Sequence, residues 1–114
     1  MGIRSKDRRK IVFDHRAYRW YVAPDCDGPY DTLHILSEDK RFILHCPLHP
    51  GLPYVMVRGT VFQGAEKRGV ADRYRLPFPV PEVVTPRFVA TLLEWALNDR
   101  GAVRVEWDGD EIPI

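Results

Sequence analysis

The chain has 114 residues, 45% of them hydrophobic and 29% charged, with a net charge of +1; these values suit one folded core and argue against a second core or a disordered chain. No apolar run approaches the roughly 20 residues of a membrane span, and the charged first ten residues lack the apolar stretch of a secretory signal. Cys26 and Cys46 are the two cysteines, too few for a disulfide framework, so a soluble cytoplasmic protein with free thiols is expected.

Residues 1–9 read as a flexible basic arm and residues 10–114 as a single α+β domain. Ile11 to Phe13 and Tyr18 to Ala23 are β-branched and aromatic, and Asp14 to Ala17 between them suits a hairpin connection. Alternation puts Tyr18, Trp20 and Val22 on one face and Arg19 and Tyr21 on the other. Residues 24–31 hold two prolines, a glycine and three aspartates, which mark a loop.

Thr32 to Ser37 and Phe42 to Cys46 predict a second hairpin around residues 38–41. Prolines at 47, 50 and 53 end that pairing. Tyr54 to Phe62 is the longest strand candidate, with Gly59 inside it marking a bulge or bend. A turn over 64–69 and a further strand from Val70 to Leu76 follow. Pro77, Pro79, Pro81 and Pro86 make the next segment an extended connector.

The best-specified element comes next. Thr85 is a good N-cap, Pro86 suits the first helical position and Gly101 suits a C-cap, while Phe88, Val89, Leu92, Leu93, Ala96 and Leu97 form one apolar stripe. The spacing predicts a helix over about 86–100 and a last strand from Val103 to Trp107. The expected fold is α+β: a mostly antiparallel sheet of five to seven strands with one C-terminal amphipathic helix packed on it.

Three groups of residues carry possible chemistry. Cys46, Pro47, Leu48 and His49 have the form of half a Rieske iron–sulfur box, but Cys26 is followed by Asp27 and Gly28 instead of Cys-x-His, so one iron lacks a ligand. His34, His45, Cys46 and His49 offer zinc ligands. Pairing around a 38–41 turn sets His34 opposite His45, whereas Cys46 points to the other face. Asp25, Asp27 and Asp31 around Gly28 lack the later glutamate of a calcium loop.

Charge is uneven along the chain. Residues 1–20 carry seven basic groups against Asp7 and Asp14, and residues 94–114 carry six acidic groups against Arg100 and Arg104. The basic arm beside Tyr18, Arg19, Trp20 and Tyr21 offers a nucleic-acid accessory role. However, Tyr18 and Trp20 share the face of Val22, so at least one of them is expected in the core, and nucleic acid is not the expected partner. No Gly-x-Ser-x-Gly, Walker loop, Gly-x-Gly-x-x-Gly or His-Glu-x-x-His motif occurs, and no catalytic residue is singled out.

The stretch Lys10 to Val22 together with Val84 to Leu97 resembles a family of small uncharacterised bacterial proteins with a Tyr-Arg-Trp strand near the start and a Thr-Pro-initiated helix near the end. The resemblance implies a bacterial origin and a strands-then-helix fold, and it brings no activity with it. The expectation is a non-enzymatic interaction module for a protein partner or a second copy, without a membrane or a cofactor, in which Arg19, Tyr21, Tyr54 and Arg58 are the hot-spot types. The alternatives are a metal-binding or redox protein using His34, His45, Cys46 and His49, with zinc as the metal, or the nucleic-acid accessory.

Overall fold

The computed structural model describes residues 8–24, 30–49, 54–59, 61–63, 65–66, 72–99, 102–103 and 105. Most of the basic arm, the aspartate-rich loop with Cys26, and the acidic residues from 106 onward lie outside them.

The first hairpin joins β1 (Arg9–Phe13) to β2 (Arg16–Pro24). Its turn is only Asp14 and His15, both at positive φ (52° and 66°), the backbone that a two-residue turn between twisted strands requires. The expected four-residue connection is thus shorter, and β1 takes in Arg9 from the arm. The second hairpin joins β3 (Asp31–Ser37) to β4 (Ile43–Pro47). Its loop is stitched by Ser37 Oγ, which donates to Asp39 Oδ1 (2.6 Å) and accepts from the Phe42 amide (3.0 Å). The register sets His34 opposite His45, as the pairing around residues 38–41 predicts.

The expected long strand divides in two, β5 (Tyr54–Val57) and β6 (Val61–Phe62). Gly59 is the reason. The Arg58 and Gly59 amides both reach the Ile43 carbonyl (2.9 and 3.4 Å), and the Val61 amide bonds the Arg41 carbonyl (3.1 Å). A Cβ at Gly59 would overlap the Arg41 carbonyl oxygen and stand 2.7 Å from the Ile43 nitrogen, so only glycine lets the backbones meet. The chain then reverses earlier than the expected 64–69 turn: Gln63 takes φ 51° and β7 (Ala65–Glu66) pairs back on β6.

β8 (Asp72–Arg75) completes a six-stranded antiparallel sheet of order β1-β2-β3-β4-β5-β8. Val103 and Val105 run beside β8, with the Arg75 amide on the Val103 carbonyl (2.8 Å) and the Val105 amide on the Arg73 carbonyl (3.0 Å). That pairing covers an edge otherwise open to other strands.

One helix, α1 (Pro86–Asn98), lies on one face of the sheet. Thr85 Oγ1 accepts from the Phe88 amide (3.2 Å) and Pro86 opens the first turn, as expected. The end differs: Asp99 is the C-cap, two residues before Gly101, because Gln63 does the capping. Its backbone amide bonds the Ala96 carbonyl (2.6 Å), its side-chain amide bonds the Trp95 carbonyl (3.3 Å), and its Oε1 accepts from the Ala102 amide (3.0 Å). The Ala96 carbonyl, left open by the last turn, thereby finds a partner without a left-handed glycine, and the Trp95 carbonyl, which already accepts the Asp99 amide (3.3 Å), gains a second donor.

Val89, Leu92, Leu93 and Ala96 of the helix pack with Leu33, Ile35, Leu44, Val55 and Val57 of the sheet, all fully inaccessible. At roughly 1.5–3 kcal/mol for each large aliphatic side chain, this layer is the main source of stability. Tyr18, Trp20 and Cys46 join it from the sheet side, and Trp95 packs edge-on against Phe62 and Phe78. No helix among the described residues is long and apolar enough to cross a membrane.

Candidate functional site

Since α1 occupies one face, alternation delivers a defined set of side chains to the other. Strand registers arrange them in three cross-strand rows. The first holds Lys10, Arg19, Leu36, Ile43 and Arg58, and the third Ala23, Thr32, Pro47, Tyr54 and Arg75. The central row runs Tyr21, His34, His45, Met56 and Arg73, with Arg8 laid against Tyr21 at its β1 end.

The central row is held together ring by ring. Arg8 lies 5.0 Å from the centroid of Tyr21. On the other side Tyr21 stacks on His34, centroids 4.7 Å apart and planes 13° apart. His34 meets His45 edge-to-face at 4.6 Å and 82°, with their Nδ1 atoms 2.6 Å apart. At that separation one ring donates its N–H and the other accepts. Across the sheet, Arg73 stands over the Tyr54 ring at 5.7 Å. The Nε atoms of Arg8 and Arg73 are buried and make no hydrogen bond.

Cations gather at both ends of these rows: Arg8, Lys10 and Arg19 beside β1 and β2, Arg58, Arg73 and Arg75 beside β5 and β8. Among the described residues no row carries an aspartate or glutamate. Glu38 borders the face from the β3–β4 loop, sharing a depression with Arg8, Arg19 and Lys40. A second depression, of about 430 Å³, opens over His34, His45, Met56, Arg58 and Arg73. Burial, then the charge of His34, then that of Arg58 push His45 down to about 4, so at neutral pH its imidazole is uncharged.

The four zinc candidates separate. His34 and His45 meet, but Cys46 lies in the core between sheet and helix, where burial pushes its thiol up to about 12. His49 is exposed beyond the end of β4, tilted against Tyr30 at 5.7 Å. Among the described residues no three His, Cys, Asp or Glu side chains come together as a ligand set.

The four interaction candidates, by contrast, share the helix-free face. Arg19 and Arg58 are exposed on either side of Leu36 and Ile43 in the first row, Tyr21 is half-buried in the central row, and Tyr54 is buried in the third. Sequence reasoning missed Arg8, Met56 and Arg73. Parity along a strand marks each of them once the register is known, but the β5–β8 register is fixed only by tertiary pairing.

The arrangement thus sets guanidinium groups, those of Arg8 and Arg73 held against aromatic rings, at both ends of a face whose centre is the His34–His45 contact. Comparison of the chain with protein-family models, with curated proteins and with solved structures gives no match.

Proposed function

We propose that this chain is a non-enzymatic protein-interaction module that docks its partner on the helix-free face of the six-stranded sheet. The observation that carries the reading is the convergence of Arg19, Tyr21, Tyr54 and Arg58 on that face, since Arg and Tyr supply much of the binding energy at protein interfaces. Leu36, Ile43 and Met56, half-buried between the two cationic ends, give the face an apolar centre and a charged rim. A cytoplasmic setting belongs to the same reading, because Cys46 is an unbridged, buried thiol.

The test is affinity capture from nuclease-treated lysate, comparing the wild-type chain with an Arg19→Ala/Arg58→Ala variant. Both side chains are exposed, so the variant keeps the fold. A protein retained stoichiometrically by the wild type and lost by the variant supports the reading. Retention of the same proteins by both, or of none by either, sinks it.

A further inference from the structure

We infer that the partner docks on this face with an extended acidic segment, its carboxylates seated on the two arginine clusters and its apolar middle lying over Leu36, Ile43 and Met56. This rests on the module reading above and gives it a ligand class. Charge complementarity is the first argument. Arg8, Lys10, Arg19, Arg58 and Arg73 lie on these rows, and the rows hold no carboxylate among the described residues, with Glu38 at one border, although the whole chain has a net charge of only +1. A second copy of the chain would bring like charges together, which disfavours self-association through this face. A divalent cation meets the same repulsion.

The geometry of the rings separates a peptide from single-stranded nucleic acid. A base-stacking platform presents bare aromatic faces. Here Tyr21 is enclosed by Arg8 at 5.0 Å on one side and His34 at 4.7 Å on the other, and Arg73 lies over Tyr54. The rings serve to hold guanidinium groups in place, and an arginine held this way loses less side-chain entropy on gripping a carboxylate. The fork geometry of arginine also matches a carboxylate with two hydrogen bonds.

Length follows from the sheet. Six strands at about 4.8 Å spacing set the two cationic ends ~24 Å apart, which an extended chain covers in about seven or eight residues at ~3.3 Å each.

The test is fluorescence anisotropy with a labelled eight-residue peptide, two glutamates at each end and four valines between. A lysine-for-glutamate counterpart and an octamer of deoxythymidine serve as parallel probes. The glutamate peptide is expected to bind, to weaken as salt rises from about 50 to about 300 mM, and to weaken by about tenfold or more in Arg19→Glu/Arg58→Glu. Arg87→Glu, exposed on the first turn of α1, should change binding less than about twofold. Circular dichroism checks that each variant is folded.

Tighter binding of the deoxythymidine octamer than of the peptide overturns the inference in favour of nucleic acid. Equal loss in the Arg87 variant, or no binding of the glutamate peptide, overturns it as well. If the peptide fails while face-dependent capture of a protein succeeds, the acidic class falls and the module reading stands.

Discussion

Acid should destabilise the fold through His45, and the size of the effect follows from its surroundings. The imidazole has an ordinary value of 6.5 and lies at about 4 in the folded chain, through burial and the charges of His34 and Arg58. A base that resists protonation when folded lets the unfolded chain take up the extra proton between those values. Stability should therefore be level above pH 7, fall as pH drops from 6.5 to 4, and level off again for this group below 4. A difference of about 2.5 pH units at ~1.36 kcal/mol each sets a ceiling of about 3.4 kcal/mol. The ring is only half-buried, and solvent screening reduces the expected loss to about 1.5–2 kcal/mol. His45→Gln keeps a polar group facing His34 without a titrating ring. Urea unfolding of both proteins at half-unit steps from pH 4 to 7.5 isolates the effect, since carboxylates common to both cancel. The profiles should converge with falling pH by that amount, with His45 titrating near 4 by NMR. Parallel profiles, or a His45 midpoint near 6.5, would refute the reasoning.

Other substitutions test the frame around the site. Gly59→Ala should lower stability by about 3 kcal/mol or more in urea unfolding, because the added methyl overlaps the Arg41 backbone and no side chain can yield. His15→Gly should raise stability by about 0.5–1 kcal/mol, measured as a higher urea midpoint, since glycine takes the φ of 66° at that turn without strain. Gln63→Ala should lose about 2 kcal/mol by the same measurement, leaving the Trp95 carbonyl and the Ala102 amide without their side-chain partner.

What could be read in advance was whatever is encoded locally. Alternation in β2 sorted Tyr18 and Trp20 from Arg19 and Tyr21, and two turn-forming segments set His34 against His45, because period and turn length need no knowledge of the rest of the chain. Thr85 and Pro86 announced the start of the helix for the same reason. What escaped depends on contacts between distant segments. Gly59 breaks its strand because Arg41 approaches it, and the helix stops before Gly101 because Gln63 arrives from 32 residues upstream of Trp95. The basic character of the helix-free face was hidden likewise. Arg8 and Arg73 meet the histidine row only after six strands have taken their order.

The bonds from Gln63 divide the helix into two halves with different origins. Its first turn is set by neighbours in the chain, Thr85 and Pro86. Its last turn is completed by a residue on another hairpin, so a peptide of residues 84–99 alone should be frayed at its C-terminal end. During synthesis the β6–β7 hairpin leaves the ribosome first and waits for the helix to arrive. Helix and hairpin should consequently open together, with amide exchange in Asp99 and in Gln63 slowing or quickening as one unit.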